Sequence, residues 1–258
     1  MRDALAAVDG QDINVATLDE AVARCIDKAR RGEGFSLFTL NLDHLVKRRR
    51  DVAFRDAYAR ATFVTADGAP VAGLARRAGA FVERATGADL VDPLCAAAAE
   101  NGVPVYLFGA TTATLTATAE RLTRRHKGLR IAGLEAPPMG FDPRSLQAEI
   151  AGARIAQSAA RLCLIALGAP KQELLADRLA RRHPQIGFVC VGAALDFIAG
   201  QQSRAPALMR EAGLEWLWRL GGHPVRLGAR YVRCAMLLAR LVLREIVRRR
   251  PQPRRLEA

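Results

Sequence analysis

Three apolar segments of the sequence end in the same pair of small residues, glycine followed by alanine. They are Gly109-Ala110 after VPVYLF, Gly168-Ala169 after LCLIAL and Gly192-Ala193 after IGFVCV. Glycine allows a ligand to come close to the backbone, and a helix that starts beyond such a turn offers free N–H groups to a phosphate. A tight strand-to-helix turn without a ligand has the same pattern, so both interpretations stay open.

Polar side chains follow two other apolar segments. Thr39 and Asn41 are two residues apart, which places them on the same side of a strand. Asp67 follows TFVTA directly and precedes Gly68. A carboxylate at the end of a strand is a candidate general base, and it is equally typical of a turn or a helix cap.

Further candidates lie between and beyond these segments. Gln172 and Glu173 open a helix and could contact a ligand, although Glu173 would also favour the helix dipole. Asp196 has apolar neighbours, so its carboxylate needs a hydrogen-bond partner, for which the hydroxyls of a sugar are one candidate. Arg84 could bind a phosphate or pair with Asp89.

Several common site motifs are missing from the sequence. It has no G-x-G-x-x-G, no G-x-x-x-x-G-K-[ST] and no G-x-S-x-G, which argues against a dinucleotide site, a P-loop and an α/β-hydrolase. No D-x-D ends a strand, and the four histidines lack the spacing of metal ligands. We therefore expect no bound metal and no other cofactor.

The elements that must position these residues alternate along the chain. Strands are predicted near 35–42, 62–66, 103–108, 129–134, 162–167 and 186–191. Helices are predicted near 16–32, 43–60, 69–79, 88–101, 112–127, 144–159 and 171–183. Continuously apolar strands alternating with long helices indicate an α/β fold, a parallel sheet with helices on both faces, and we assign it to residues 1–203.

Residues 204–258 differ from the rest of the chain. They hold 13 arginines and four glutamates, a net charge of +9 out of +13 for the whole chain. The pattern predicts helix, interrupted near 221–224, with Arg226, Arg230, Arg233, Arg240, Arg244 and Arg248 along one face and apolar residues on the remaining surface. Such a helix suits an anionic membrane surface. The alternative is a helix that docks on its own domain or on a partner subunit.

Three features of the sequence indicate the cellular compartment of the protein. The N-terminus has no apolar core of a signal peptide, and no segment is apolar enough to span a membrane. The five cysteines are widely scattered, which argues against a disulfide framework. We expect a protein of the reducing cytoplasm.

Taken together, these residues resemble a known family. The matching stretches run in order along about residues 35–235. They are Thr39-Leu-Asn41-Leu-Asp43-His44, Thr65-Ala-Asp67-Gly68, Glu83-Arg84-Ala-Thr-Gly87-Ala-Asp89-Leu90, Phe108-Gly109, Gly168-Ala-Pro170-Lys-Gln172-Glu173, Val191-Gly192, Asp196-Phe197-Ile-Ala-Gly200, Arg204-Ala-Pro206, Gly213-Leu-Glu215-Trp216 and Arg219. Each stretch is weak alone, but the combination resembles the WecG/TagA/CpsF glycosyltransferases (glycosyltransferase family 26).

The resemblance implies a Rossmann-like transferase at the inner face of the cytoplasmic membrane. Such enzymes move a sugar, N-acetylmannosamine or a glucose-type sugar, from a UDP-sugar to an undecaprenyl-diphosphate-linked saccharide, with inversion and without a metal. It implies Asp67 as the catalytic base, Thr39 and Asn41 near the transferred sugar, and Gln172 as the glutamine of the P-x-Q-E motif. The C-terminal segment resembles the family's membrane-targeting segment.

Without a metal, the charge that develops on the departing UDP must be met by N–H groups and arginines. The Gly109 turn, Arg204, Arg219, Arg226 and Arg230 are the candidates. An NAD-dependent oxidoreductase and a non-enzymatic nucleic-acid-binding protein remain the alternatives. The tail beyond Arg219 has a single aromatic residue, Tyr231, which argues against stacking on bases and against a specific nucleic acid. The sequence is also compatible with a homo-oligomer.

Overall fold

A parallel six-stranded sheet lies at the centre of the protein. The computed structural model describes residues 4–222 and 224–249. Its strands are β3 (Phe35–Leu40), β4 (Phe63–Ala66), β5 (Val105–Gly109), β6 (Ile131–Glu135), β7 (Leu162–Ala166) and β8 (Gly187–Cys190), in the order β4-β3-β8-β7-β5-β6. All six are strands that the sequence predicts. Because every pairing is parallel, all the carboxyl ends meet at one edge.

Each strand contributes alternate side chains to two separate hydrophobic clusters. In β3, Phe38 and Leu40 belong to one cluster, while Phe35 and Leu37 belong to the other. Side chains along a strand alternate between the two faces of the sheet. Because all the residues of β3 are buried, both faces of the sheet are covered. The predicted Rossmann-like α/β class is confirmed.

Helices pack on both faces. On the first face lie α2 (Leu42–Arg48), α3 (Val52–Arg60), α4 (Ala69–Arg77), α7 (Leu146–Gln157) and α8 (Lys171–Arg182). On the second lie α1 (Leu18–Arg31), α5 (Gly87–Glu100), α6 (Thr112–Arg125) and α9 (Ala194–Ala199). The chain then continues through α10 (Ala207–Glu211), α11 (Glu215–Gly222) and α12 (Pro224–Arg249).

Two features of the N-terminal half differ from the prediction. A hairpin of β1 (Ala6–Val8) and β2 (Gln11–Ile13) precedes α1, and its turn is Asp9-Gly10, both with positive φ. Asp-Gly is a strong hairpin signal, but strands of three residues are too short to show alternation. The predicted helix 43–60 is two helices, because Asp51 caps a new N-terminus by accepting a hydrogen bond from the Phe54 N–H.

The long helix α12 docks on the rest of the protein. Its buried side includes Cys234 and Leu237, and it packs against α2. Arg230 reaches back to Asp43 at 3.3 Å, and Glu245 pairs with Arg77 at 3.3 Å. One apolar side of this helix therefore covers its own domain, as in the docking alternative.

A second apolar stripe of α12 points outward. It consists of the exposed residues Val225, Val232, Met236, Leu243 and Val247, at spacings of seven and four. The exposed arginines of the same helix, Arg233, Arg240 and Arg244, lie beside this stripe. The sequence pattern thus contains two apolar sides, of which docking uses only one.

Two findings bear on the membrane and on redox chemistry. Among residues 4–222 and 224–249, no helix is long and apolar enough to cross a membrane. All five cysteines are free and buried, in agreement with the prediction that no disulfide framework exists.

Leu237→Ala is expected to loosen the docking of α12. Leu237 is 6% exposed, and truncating a buried leucine costs about 2–5 kcal/mol, here at the low end because the site lies at the rim of the core. Limited proteolysis of α12 and thermal unfolding measure the effect. The adjacent Met236→Ala, at 61% exposed, is the matched control and should change neither. Equal behaviour of the two variants would contradict this docking.

Candidate active site

A carboxylate and an amide meet where β3 and β4 end. Asn41 is the N-cap of α2 and accepts a hydrogen bond from the His44 N–H at 3.0 Å. The Nδ2 of the same side chain donates to Asp67 Oδ2 at 3.2 Å. Because β3 and β4 are neighbours in register, the residues that follow them are forced together. Thr39, one residue before the end of β3, is buried.

The carboxyl of Asp67 is harder to ionise than an ordinary aspartate. Burial raises its pKa to about 6, because a charged carboxylate loses hydration there. The hydrogen bond from Asn41 and the positive charge of Arg219 act in the opposite direction, while Glu215 and Asp89 add to the rise. A base with a pKa close to the working pH is well placed to accept a proton.

Beside Asp67 lies a cluster of five charged groups, which we call the arginine cluster. It contains Arg84, Arg204 and Arg219 with Asp89 and Glu215. Arg204 Nη2 lies 2.6 Å from Asp89 Oδ1, and Arg219 Nη2 lies 2.7 Å from Glu215 Oε1. Arg84 lies 4.0 Å from Asp89 and 3.9 Å from Glu215. Three guanidinium groups thus face two carboxylates, which leaves a local excess of positive charge.

Asp89 is held ionised within this cluster. Burial alone would raise the pKa of Asp89, but hydrogen bonds from Thr86 and Arg204 outweigh that effect and keep it below its usual value. Thr86 caps α5, so the same side chain fixes both the helix start and the carboxylate. The predicted pairing of Arg84 with Asp89 exists, but Arg204 makes the closer contact.

Gln172 and Glu173 follow β7, further along the same edge of the sheet. Both are buried in the first turn of α8. Gln172 Oε1 accepts a hydrogen bond from the Gly192 N–H at 3.1 Å, and Gln172 Nε2 donates to Glu173 Oε1 at 2.8 Å. Burial raises the pKa of Glu173 to about 7, and the hydrogen bond from Gln172 opposes the rise. These contacts join the turn after β7 to the turn after β8.

The three glycine turns differ in what their glycines do. A Cβ at Gly109 would lie 2.5 Å from the Ala166 carbonyl oxygen, so this glycine is required by the neighbouring strand β7. A Cβ at Gly168 or Gly192 would meet nothing within 4 Å. The backbone next to Gly168 and Gly192 is therefore open, and both residues have a positive φ (71° and 58°), which by itself favours glycine. Ala110, at a φ of 54°, completes the strained turn after β5.

Asp196 has the hydrogen-bond partners that its position requires, and both belong to the protein. Its Oδ2 accepts from Gln202 Nε2 at 3.1 Å, and its Oδ1 accepts from Thr114 Oγ1 at 3.4 Å. The carboxylate thereby ties α9 to the first turn of α6. Within the described part of the chain, no group of three or more His, Cys, Asp or Glu side chains could hold a metal ion.

The structure brings most of the predicted residues to one edge, in separate groups. Asp67, Asn41 and the arginine cluster form one group, Gln172, Glu173 and Gly192 a second, and Asp196 a third. Gly109 is on β5, four strands from β4 and roughly 19 Å away at the usual strand spacing. The side chain of Arg226 lies outside the described residues, and Arg230 contacts Asp43.

Sequence reasoning missed the role of Glu215, which bridges all three arginines of the cluster. It also missed His44 and Tyr58, which contact each other in the core beneath the edge. Two features of the sequence pointed to Glu215. It lies in one of the matched stretches, and it is the acidic residue nearest to Arg219 along the chain. Nothing in the sequence linked His44 to Tyr58.

The fold and this edge define a Rossmann-like α/β protein whose polar site lies at the carboxyl ends of its strands. The chain belongs to the glycosyl transferase WecG/TagA/CpsF family, whose model matches residues 6–252, nearly the whole chain. It is therefore a glycosyltransferase of cell-surface polysaccharide synthesis, with a sugar donor and an acceptor as substrates. This assignment confirms the family predicted from the sequence and favours it over the oxidoreductase and nucleic-acid alternatives.

Asn41→Ala is expected to raise the pKa of Asp67 further, by about one pH unit, because a hydrogen bond to the charged form is lost. Side-chain carboxyl NMR with labelled aspartate measures this pKa directly. Asn41 also caps a helix, so Thr17→Ala, which removes the cap of α1, serves as a control for destabilisation. An unchanged or lower Asp67 pKa in Asn41→Ala would contradict the assigned hydrogen bond.

Proposed function

We propose that this chain transfers an N-acetylmannosamine or glucose-type sugar from a UDP-sugar to an undecaprenyl-diphosphate-linked saccharide, with inversion. The observation that carries the proposal is Asp67. It is a partly buried carboxylate at the end of a central-sheet strand, hydrogen-bonded by Asn41 and adjacent to the arginine cluster. A base and a set of cations are the two elements that such a transfer needs at one place.

In the proposed reaction, the acceptor hydroxyl gives its proton to the Asp67 carboxylate. The acceptor oxygen then forms the new bond at the anomeric carbon, and the bond to UDP breaks on the opposite face of the sugar. Asn41 keeps Asp67 oriented, and Thr39 and Asn41 are the proposed neighbours of the transferred sugar. Asp67 must be ionised to act as base, so the rate falls as the pH drops through about 6.

The departing UDP carries the growing negative charge. Arg204 and Arg219 of the arginine cluster are the proposed partners of the diphosphate, with Arg84 and Arg226 as further candidates. In place of a metal ion, guanidinium groups offer fixed hydrogen-bond donors that match phosphate oxygens. The open backbone at Gly168 and Gly192, the turn at Gly109-Ala110 and the carboxylate of Asp196 would receive the rest of the nucleotide.

Asp67→Asn is expected to reduce transfer by on the order of 10²–10⁴-fold while UDP binding is retained, because the amide cannot accept the proton. The measurement is UDP release with a lipid-diphosphate-linked acceptor, anionic vesicles, a panel of UDP-sugars and EDTA. The exposed Asp142→Asn is the matched control. Turnover by the wild type with one donor identifies that donor. An undiminished rate in Asp67→Asn removes this residue as the base.

The proposal places the enzyme at the inner face of the cytoplasmic membrane, where a polyprenyl-linked acceptor resides. The segment 204–258 would provide the contact and also contributes Arg204, Glu215 and Arg219 to the site, while residues 1–203 hold Asp67 and the rest of the catalytic part. Support comes from the outward stripe of α12 with its neighbouring arginines, and from the half-exposed Trp216 and Trp218 on α11. Apolar side chains next to arginines suit the boundary between acyl chains and anionic headgroups.

Replacing Val232 and Met236 together by glutamate is expected to reduce binding to anionic vesicles by at least about tenfold, because apolar contact is lost and charge repulsion is added. Sedimentation with vesicles of anionic and neutral lipid measures the effect. Leu146→Glu, on the exposed side of α7, is the control and should bind as the wild type does. Full binding by the Val232/Met236 variant would show that the stripe is not the contact.

A further inference from the structure

The carboxyl group of Glu173 is completely buried and only half satisfied. Its exposed fraction is 0%, and its Oε1 accepts from Gln172 Nε2 at 2.8 Å. Its Oε2 has no hydrogen-bond partner among the described residues. Burying a carboxyl in this way is costly compared with an apolar side chain of similar size. Packing alone therefore does not explain a glutamate here.

On one side, Glu173 controls the orientation of Gln172. The Gln172 amide uses Oε1 for the Gly192 N–H and Nε2 for Glu173, so a flipped amide would lose both hydrogen bonds. Because Gly192 belongs to the turn after β8 and Gln172 to the helix after β7, this pair fixes the two turns relative to each other. With both ends of its amide engaged and 3% of its surface exposed, Gln172 is itself part of the framework.

On the other side, Glu173 faces α2 and α3. Glu173 Oε1 lies 4.0 Å from His44 Nε2, and His44 Nδ1 lies 2.6 Å from the Tyr58 hydroxyl. Tyr58 donates in turn to the Thr39 carbonyl oxygen at 3.4 Å. Burial lowers the pKa of His44 to about 3, so the imidazole is neutral and its contact with Glu173 is not an ion pair.

This buried chain leads to the proposed base. The backbone N–H of His44 donates to Asn41, and Asn41 donates to Asp67. From Gly192 to Asp67 the contacts run through Gln172, Glu173, His44 and Asn41. The step from Glu173 to His44 is a packing contact at 4.0 Å, and the other steps between residues are hydrogen bonds. The turn after β8 and Asp67 at the end of β4 are thus connected beneath the carboxyl edge of the sheet.

We propose that Glu173 is a positioning residue that touches no substrate, and that through Gln172 and His44 it sets the spacing between the Gly192 turn and Asp67. The proposal replaces the substrate contact expected for Glu173 from the sequence, and its kinetic part rests on the proposed function. A glutamine at position 173 keeps the oxygen that accepts from Gln172. An alanine removes it.

The test compares Glu173→Gln and Glu173→Ala in the full chain, with Glu120→Ala on the exposed side of α6 as the control. Hydrogen exchange of the Gly192 amide and of the first turn of α2 is measured without substrate. We expect exchange to rise at least about tenfold in Glu173→Ala and to stay within about twofold of the wild type in Glu173→Gln. In the transfer assay, kcat should fall by about 10–100-fold in Glu173→Ala, with little change in donor KM. Glu173→Gln should keep most of the wild-type kcat.

Two results overturn the proposal. One is a Glu173→Gln variant as inactive as Glu173→Ala with unchanged exchange, which would indicate a direct role for the carboxylate. The other is normal exchange in Glu173→Ala. If Glu173→Ala does not fold, Gln172→Met is the second variant. It removes the hydrogen bonds of Gln172 to Glu173 and to Gly192 and is expected to raise exchange of the Gly192 amide. The exchange result is independent of turnover, so an inactive wild type with the expected exchange pattern would reject the proposed function and support the positioning role.

Discussion

The partial removal of the Asp67 carboxylate from water is the constraint on which the site depends. Burial raises its pKa, and the hydrogen bond from Asn41 and the nearby charge of Arg219 oppose that rise. Those compensating groups come from the N-cap of α2, directly after the neighbouring strand, and from α11, whose Arg219 is far from Asp67 along the chain. The position of α11 and the register of β3 with β4 are therefore part of the electrostatics of one carboxylate.

The arginine cluster places positive charge beside the same carboxylate. Three guanidinium groups in a half-buried site would repel each other, and Asp89 and Glu215 reduce that repulsion without cancelling the charge. A diphosphate entering the site would compete with these carboxylates for the arginines. The residual positive charge, placed beside a carboxylate that can accept a proton, suits a site where negative charge develops on a leaving group.

Helix α12 shows how one segment can serve two surfaces. Its inner side, with Leu237 in the core cluster and Arg230 against Asp43, packs on the first face of the sheet domain. Its outer side keeps five apolar residues and several arginines exposed. The two interpretations of the sequence pattern, docking and membrane contact, concern different sides of the same helix and do not exclude each other.

The six strands of the sheet and most helices could be predicted from the sequence, because continuously apolar strands and amphipathic helices are set by local patterns. The edge that carries Asp67, Asn41 and the glycine turns was predictable for the same reason, since parallel strands must end on one side. The partners of each residue were not. Arg204 contacts Asp89, Glu215 contacts Arg84, and Glu173 faces His44, and the members of each of these pairs are more than 100 residues apart in the chain. Local sequence fixes which groups stand at an edge, but burial and charge between distant segments arise only when the sheet and its helices are packed together.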